Sequence, residues 1–276
     1  MAEVRTSKES PEQAYYENEA LWAQDFEQDP QERMRLDVAS QLIPAEGVSS
    51  ILDVGCGNGA FVNRLAGRYA RVCGVDRSEV ALSFVRSEKR LARVDELPFA
   101  SGEFDLVACM EVIEHLPQGV YEQALAEIVR VASKWVLISV PYREDRRLGL
   151  VRCPKCLCEF NRSYHLRSFD ERSLSSLHPG IALASLRTLG DTLRYLGLRT
   201  ARRMAEPFRT PPLPRGVVCP QCAHARPASE PARTHNERTG VLGRARVMWP
   251  RVRSPRWAMA MYRKRAPDER LQGGGT

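Results

Sequence analysis

The sequence predicts an α/β fold in which short buried strands alternate with helices around a parallel sheet. Between residues 50 and 140, brief apolar runs typical of buried strands are followed by patterns typical of helices. The run at residues 51–54 breaks into a glycine-rich loop, and residues 60–66 then have a helical pattern. A second run, residues 71–75, ends on Asp76. This order of elements indicates a ligand site at the carboxyl edge of the sheet.

The glycine loop indicates that the ligand contains a nucleoside. Gly55, Gly57 and Gly59 carry no Cβ atom, so the backbone can approach a bound group closely. Asp76 lies 21 residues after Gly55, at the tip of the second strand, where a carboxylate can accept hydrogen bonds from both ribose hydroxyls. The dinucleotide fingerprint has two residues before its third glycine, whereas this loop has one. The spacing therefore favours a different nucleoside cofactor.

The motif Asp53-Val54-Gly55-Cys56-Gly57-Asn58-Gly59 resembles the first motif of the class I S-adenosylmethionine-dependent methyltransferases, in particular those of type 11/12. The resemblance extends over about residues 40–175 and implies a Rossmann-like sheet of seven strands with helices on both faces. The sheet would be mostly parallel, with the last strand antiparallel. Four later segments match family motifs in the expected order: residues 75–76, 97–99, 104–107 and 135–141.

The resemblance also implies which residues hold S-adenosylmethionine. Gly55 to Gly59 would bind its methionine part, Asp76 its ribose, and the loop at residues 93–97 its adenine. Many family members have an acid where this chain has Arg93, so either Asp95 or the loop backbone would make the adenine contact. The predicted cofactor site comprises Asp53, Gly55, Cys56, Gly57, Asn58, Gly59, Asp76, Arg77, Val94, Asp95 and Met110.

Acids and histidines follow the fourth predicted strand, where active sites of open α/β sheets lie. If a helical turn begins there, Glu111, Glu114 and His115 share one face of it. His165, after the fifth strand, would bring a second imidazole over the same pocket. Carboxylates and imidazoles placed in this way can bind a divalent cation or act as an acid/base pair.

This pattern resembles that of two methyltransferase groups, the O-methyltransferases of ubiquinone biosynthesis and the small-RNA 3′-terminal 2′-O-methyltransferases. In the second group, two glutamates and two histidines hold magnesium beside the ribose hydroxyls. By resemblance, Glu111, Glu114, His115 and His165 would hold magnesium or another divalent cation and activate the acceptor hydroxyl. The alternatives are His115 or His165 as a metal-free general base, and purely structural roles for all four residues.

Two Cys-x-x-Cys knuckles predict a structural zinc site. A two-residue gap lets one tight turn present two sulfurs to one ion, and zinc prefers four thiolates in a tetrahedron. Cys158 and His224 are alternative ligands, whereas Cys56, Cys73 and Cys109 are expected to be small buried residues. The main alternative is four free thiols on unrelated loops. The predicted ligands are Cys153, Cys156, Cys219 and Cys222, which would clamp two distant loops into an accessory lobe.

Pattern and composition predict four segments in the 276-residue chain. Residues 1–40 would form a disordered start and a helix covering the cofactor, with Tyr16 and Trp22 as lid candidates. The cofactor-binding core would occupy residues 41–150, and the rest of the fold with the cysteine knuckles residues 151–265. A flexible tail would follow at 266–276.

Three later elements are also predicted from local patterns. Ser168, with Glu171 three residues later, predicts a capping box for a helix through Leu177. Residues 181–189 and 257–262 have strand patterns, whereas the Pro-, Arg- and Gly-rich stretch between residues 206 and 256 favours loops.

Charge is unevenly distributed along the chain. Residues 1–150 hold 17 Lys/Arg against 25 Asp/Glu, whereas the remainder holds 24 against 9. Residues 244–265 contain eight basic residues, no acid, and both Trp249 and Trp257. This segment is either a solvated surface or a contact for a partner. The partner would carry phosphate, as nucleic acid does, or carboxylate, or would be a peripheral membrane surface. Neither a transmembrane run nor a signal peptide is recognisable, which predicts a cytoplasmic protein.

The motifs together predict an S-adenosylmethionine-dependent methyltransferase acting on an oxygen of a small molecule, sugar or natural-product intermediate. One alternative is an RNA 2′-O-methyltransferase whose basic second half grips the strand, although no RNA-binding signature is present. The other alternative is a non-catalytic scaffold that binds the cofactor. The identity of the acceptor is not encoded in a recognisable motif, because fold and cofactor do not fix it.

Overall fold

The structure is a computed structural model that describes residues 16–17, 19–195, 213–214, 217–225 and 251–266. The predicted disordered start at residues 1–12, Trp249 and nearly all of the predicted tail lie outside the described residues. So does most of the stretch between residues 206 and 250, for which loops are predicted.

The described residues form six α-helices, two 3-10 helices and eleven strands. The α-helices are α1 (Glu19–Trp22), α2 (Pro30–Leu42), α3 (Ala60–Leu65), α4 (Glu79–Ser83), α5 (Val120–Val131) and α6 (Glu171–Ser175), and the 3-10 helices are Phe26–Gln28 and Arg146–Gly149. The strands are β1 (Ser50–Val54), β2 (Arg71–Asp76), β3 (Glu88–Leu91), β4 (Phe104–Met110), β5 (Ala132–Pro141), β6 (Leu150–Arg152), β7 (Glu159–Asn161), β8 (Ile181–Leu189), β9 (Thr192–Tyr195), β10 (Arg251–Ser254) and β11 (Trp257–Lys264). None of these helices is long and apolar enough to cross a membrane.

Seven strands form one sheet in the order β3-β2-β1-β4-β5-β11-β8. The pairs among β1 to β5 are all parallel. Strand β11, the last in the chain, runs antiparallel to both β5 and β8. The prediction of a seven-stranded, mostly parallel sheet with an antiparallel last strand is therefore confirmed.

Alternate residues of the central strands bury apolar side chains on both faces of this sheet. In β1, Ile51 packs in one core layer and Leu52 in the other, as expected of a strand covered on both faces. Helices α2, α3 and α4 contribute to the layer of Ile51, and α5 and α6 to the layer of Leu52. The sheet edge that bears the glycine loop is thus supported by two closed apolar layers.

Local patterns predicted several elements correctly but missed the start of one helix. Residues 181–189 form strand β8, and the strand predicted at 257–262 extends to Lys264. Helix α6 begins after Asp170, whose carboxylate accepts the amide hydrogen of Ser173. The predicted cap at Ser168 is wrong, because Asp170 offers the capping carboxylate two residues later.

The chain folds as two compact units. The larger contains Tyr16–Glu144, His165–Gly190 and the strand that follows Pro255, and it includes the seven-stranded sheet. The smaller contains Asp145–Tyr164 and the described residues between Asp191 and Ser254. In the smaller unit, β6 pairs with β7 and β9 pairs with β10, both antiparallel. The predicted segment boundaries at residues 40, 150 and 265 stay predictions.

Candidate functional site

The glycine loop follows β1 and is held against the end of β2. The amide groups of Gly55 and Cys56 both donate to the carbonyl of Val75, at 2.7 and 2.9 Å. Gly55, Gly57 and Gly59 have φ values of 71°, 52° and 78°, which side chains with a Cβ atom rarely adopt. The glycines are therefore required by the backbone path of the loop.

Asp76 at the end of β2 fixes the middle of this loop. Its two carboxylate oxygens accept the amide hydrogens of Gly57, at 2.9 Å, and Ser78, at 3.0 Å. Burial raises the pKa of Asp76, and these two backbone donors partly oppose that rise. Asp53 in β1 is also buried, and burial raises its pKa to about 7 despite the nearby positive charge of Arg35. Burial is thus the main influence on the pKa of both acids of the predicted cofactor site.

Two predicted cofactor residues direct their side chains elsewhere. The sulfur of Cys56 packs towards Gly74 of β2, where an added Cβ atom would approach it to 2.8 Å. The side-chain amide of Asn58 donates to the carbonyls of Trp22 and Gln24, both at 2.9 Å. Only the backbone atoms of these two residues can therefore line the predicted cofactor site. Cys56, Cys73 and Cys109 are all buried, as predicted.

Trp22 lies directly on the glycine loop. A Cβ atom added to Gly57 would come within 2.7 Å of the indole ring of Trp22, so this contact requires glycine. The Trp22 indole stacks with Tyr16, and the Arg77 guanidinium lies 4.5 Å from the centre of the Tyr16 ring. Arg77 thus contacts the leading segment that was predicted to act as a lid.

The loop predicted to contact adenine carries an internal ion pair. The guanidinium of Arg93 donates to both carboxylate oxygens of Asp95, at 3.0 and 2.8 Å. Of the two alternatives for the adenine contact, this pairing favours the loop backbone over the Asp95 side chain. Val94 packs against the core, and Met110 ends β4 in a buried position. The cofactor assignments of these residues stay predictions.

The chain after β4 does not form the predicted helical turn at Glu111. Glu111 has a φ of 56°, in the left-handed region, and its amide donates to the carbonyl of Ser139. Its carboxylate accepts hydrogen bonds from the Ser139 hydroxyl, at 2.8 Å, and the Trp257 indole, at 3.0 Å. The expectation that Glu111 shares a helical face with Glu114 and His115 is therefore wrong. The cause is the left-handed backbone at Glu111, which this hydrogen-bonded network holds in place.

Glu114, His115 and His165 form a compact cluster. One potential ligand atom from each residue lies within 4.8 Å of the others. The two imidazole rings are 4.8 Å apart at 68°, and His115 Nε2 lies 3.9 Å from a carboxylate oxygen of Glu114. The predicted approach of the second imidazole is thus present, with three of the four predicted residues in the group.

Main-chain hydrogen bonds hold the two halves of this cluster together. The amide of Leu166 donates to the carbonyl of Glu114 at 2.7 Å. The guanidinium of Arg167 donates to the carbonyls of Ile113 and Leu116 and lies over the Tyr121 ring. The segment that carries His165 is therefore fixed against the turn that carries Glu114 and His115.

The Glu114 carboxyl group is fully buried, and neither of its oxygens has a hydrogen-bond partner among the described residues. Burial raises the pKa of Glu114 well above its usual value, and the neighbouring Glu111 raises it further. Such a group is either protonated or requires a cation beside it, because an unpaired buried carboxylate is costly.

One residue of the site was not predicted from the sequence. One carboxylate oxygen of Glu144 forms a hydrogen bond with Nδ1 of His165. Glu144 follows β5 in a run of charged residues with no recognisable motif. Only its position, three residues after the predicted fifth strand, could have drawn attention to it.

The four knuckle cysteines converge within the smaller unit. Cys153 and Cys222 sulfurs are 3.6 Å apart, those of Cys156 and Cys219 are 3.5 Å apart, and all four lie within 4.8 Å of one another. Zinc–sulfur bonds of about 2.3 Å in a tetrahedron place sulfurs roughly 3.8 Å apart. The geometry and the donor set therefore suit a tetrahedral zinc ion.

The two knuckles have the same backbone construction. In the first, the Cys153 amide donates to the carbonyl of Cys158 at 2.9 Å, and in the second the Cys219 amide donates to His224 in the same way. Leu157 and Ala223, each following the second cysteine, have left-handed φ values of 61° and 56°. Cys158 and His224 thus occupy equivalent positions after the turn, and neither belongs to the group of four converging sulfurs.

Comparison with known proteins identifies the part of the chain that carries the glycine loop. A family profile described as a methyltransferase domain matches residues 52–136. This domain contains the glycine loop, Asp76, Glu114 and His115, whereas Glu144, His165 and the knuckle cysteines lie beyond it.

Part of the chain is also similar to curated proteins. Two relatives are the ubiquinone biosynthesis O-methyltransferases of Hahella chejuensis and Thiobacillus denitrificans. The first is 36% identical over 109 residues, which are 36% of this chain and 44% of that protein. The second is 34% identical over 123 residues, which are 41% of this chain and 53% of that protein. The chain thus spans about half the length of these relatives.

A solved structure has the same fold as most of this chain. The N-methyltransferase NodS of Bradyrhizobium japonicum, in complex with S-adenosyl-L-homocysteine, matches with a TM-score of 0.53 and 15% identity. The match covers 91% of this chain and 99% of that chain. The predicted class I methyltransferase fold is therefore confirmed.

Proposed function

We propose that this protein is an S-adenosylmethionine-dependent methyltransferase that transfers the methyl group to an oxygen of a small molecule. The glycine loop with Asp76 at the end of β2 is the observation that carries this proposal. The relatives named as ubiquinone biosynthesis O-methyltransferases support an oxygen acceptor within small-molecule biosynthesis. Sugars and natural-product intermediates remain within the proposed acceptor class.

The residues around the glycine loop suit the proposed cofactor. The loop backbone has no Cβ atoms at three alternate positions, which leaves room for a group lying against it. Asp53 and Asp76 are buried carboxyl groups near the ends of β1 and β2, where they would accept hydrogen bonds from the amino and ribose groups of the cofactor. When bound, S-adenosylmethionine supplies an electrophilic methyl group on a sulfonium centre.

The Glu114–His115–His165 cluster would act on the acceptor. His165 is proposed to remove the proton of the acceptor hydroxyl, with His115 beside it at a ring separation of 4.8 Å. The alternative is a divalent cation held by Glu114, His115 and His165, which would lower the pKa of the hydroxyl. Magnesium and manganese prefer oxygen ligands, whereas two imidazoles and a carboxylate also suit a later transition metal such as iron(II) or zinc.

Methyl transfer is tested with isotopically labelled S-adenosylmethionine and an extract of small molecules from the source cells. A labelled product identified by mass spectrometry as a methyl ether is the expected result. Gly57→Val serves as the inactive control. A valine side chain would collide with the Trp22 ring, and the backbone φ at this position is unfavourable for any residue with a Cβ atom. Labelling confined to nitrogen or carbon would overturn the oxygen acceptor, and no cofactor binding would overturn the whole proposal.

We also propose that Cys153, Cys156, Cys219 and Cys222 bind one structural zinc ion. The backbone amides of Cys156 and Lys155 and the neighbouring thiols outweigh the effect of burial on Cys153, and its pKa falls to about 7. A reducing compartment such as the cytoplasm would keep these thiols available for the ion.

Elemental analysis of protein purified without chelators should give about one zinc per chain. Cys153→Ser with Cys219→Ser should remove it, since each knuckle then retains one thiolate. Cys158→Ser is the matched control and should retain the metal, because Cys158 lies outside the group of four sulfurs. Fresh wild-type protein free of zinc would contradict this assignment.

A further inference from the structure

The pairing of Glu144 with His165 has no counterpart in the predicted site. A carboxylate oxygen of Glu144 meets Nδ1 of His165, and both side chains are largely buried, with 29% and 14% exposure. His165 also faces His115 across 4.8 Å. The imidazole is thus bound on one nitrogen by a carboxylate while its ring contacts the cluster.

We propose that Glu144 is a positioning residue that fixes the tautomer of His165 for proton removal from the methyl acceptor. This inference rests on the proposed function. An ionised carboxylate can only accept hydrogen bonds, so its partner Nδ1 must carry the hydrogen. The lone pair of the neutral ring is then on Nε2, which is the nitrogen able to take a proton.

In the proposed step the acceptor hydroxyl loses its proton and gains the methyl group. The O–H bond of the acceptor breaks, and its proton forms a new N–H bond at Nε2 of His165. The oxygen electron pair forms a C–O bond to the methyl carbon, while the C–S bond breaks and leaves its electrons on sulfur. The imidazolium that results carries hydrogen on both nitrogens, and the negative charge of Glu144 beside Nδ1 stabilises it.

The competing explanation is a purely structural clasp. Glu144 is the last residue of the larger unit before the segment Asp145–Tyr164, and His165 is the first residue of the larger unit after it. A hydrogen bond between Glu144 and His165 would hold the two ends of this segment together without any role in chemistry. The two explanations differ in what happens when the carboxylate becomes an amide of the same size.

Glu144→Gln separates them. An amide can accept from Nδ1–H or donate to a bare Nδ1, so the clasp survives while the tautomer is no longer dictated. Nuclear magnetic resonance of the full chain labelled with ¹⁵N-histidine reports the tautomer directly. His165 is assigned by comparison with His165→Asn. The wild type should have a protonated Nδ1 and an unprotonated Nε2, and Glu144→Gln should give a mixture of both tautomers.

Turnover is measured on the same proteins. In Glu144→Gln, kcat should fall by roughly 10- to 100-fold, with the Kd for S-adenosylmethionine changed less than about twofold. Glu144→Asp keeps a carboxylate and should restore the wild-type tautomer and part of kcat. Glu171→Gln is the matched control, because Glu171 is a half-exposed acid of the same unit that binds Tyr142 and Arg143.

Two results would overturn the inference. One is a wild-type His165 tautomer retained in Glu144→Gln, and the other is an altered tautomer with unchanged kcat. A wild-type protein that binds no S-adenosylmethionine and methylates nothing would instead refute the proposed function. In that case the tautomer measurement, which needs no substrate, still decides whether Glu144 fixes the His165 ring.

Discussion

Replacement of Asp76 by alanine tests the cofactor site most directly. In the folded protein the carboxylate of Asp76 accepts two backbone hydrogens, from Gly57 at 2.9 Å and Ser78 at 3.0 Å. The substitution removes these acceptors together with the proposed partner of the ribose hydroxyls. We therefore expect both a less ordered glycine loop and weaker binding of S-adenosylmethionine.

The magnitude follows from the kind of hydrogen bond that is lost. Hydrogen bonds to a charged group contribute about 1.5–3 kcal/mol each. The loss of one such bond to the ribose would raise Kd by roughly 10- to 150-fold. The orphaned amides of Gly57 and Ser78 add a cost to the folded protein, which thermal unfolding would register as a lower Tm.

Asp105→Ala is a control that removes two backbone hydrogen bonds and, in addition, the hydroxyl contacts of Ser49 and Ser50 and the ion pair with Lys134. Asp105 also accepts two backbone hydrogens, from Ser49 at 2.9 Å and Ser50 at 3.1 Å. It lies near the amino end of β4, whereas the glycine loop lies at the carboxyl end of β1. Asp105→Ala should therefore lower Tm but leave Kd unchanged.

Isothermal titration calorimetry measures Kd for all three proteins at one pH and salt concentration. The reasoning is refuted if Asp76→Ala binds S-adenosylmethionine as tightly as the wild type. It is also refuted if both substitutions weaken binding equally, because the loss would then reflect general destabilisation.

Two further predictions concern buried acids. Burial raises the pKa of Asp53 from 3.8 to about 7, so ionisation of this group opposes folding. The stability that the neutral carboxyl group contributes is fully present below about pH 4 and is lost as the pH rises through 7. Relative to wild type, Asp53→Asn should gain stability between pH 4 and 8, by up to roughly 4 kcal/mol in denaturant titrations, and a constant difference would contradict this. If a cation binds Glu114, chelation should abolish turnover, and added manganese or magnesium should restore it. Glu114→Gln should raise the metal concentration that is needed for the same turnover, whereas Glu111→Gln should not. Turnover that survives chelation would leave His165 as a metal-free base.

The features that were predicted correctly are those that local sequence determines. The glycine loop needs left-handed backbone at alternate positions, and only glycine supplies this readily, so the motif is legible without a structure. The close approach of Cys153 and Cys156 could be predicted for a similar reason, because only two residues separate them, whereas the zinc ion itself stays a prediction. The parallel order of β1 to β5 follows from the alternation of strands and helices.

The features that were missed depend on contacts between distant residues. Trp257 is 146 residues from Glu111, and its indole gives Glu111 a partner that no periodicity could indicate. The same contact buries Trp257, which removes it from the basic surface proposed for residues 244–265. Glu144 could likewise not be predicted, because its hydrogen-bond partner His165 lies 21 residues later in the chain.

The most informative of these contacts is one that Glu114 does not make. Folded proteins pair their buried carboxyl groups, since an unpaired one costs on the order of 1–3 kcal/mol or more. Glu114 is fully buried without a hydrogen-bond partner in the described part of the chain, although Arg167 and the Leu166 amide bind the main chain of the same turn. Main-chain groups around Glu114 are thus hydrogen-bonded, whereas its carboxyl group can still bind a partner from outside the fold. A proton, a cation or the acceptor hydroxyl would each complete it, and each would do so within 4.8 Å of the two imidazoles.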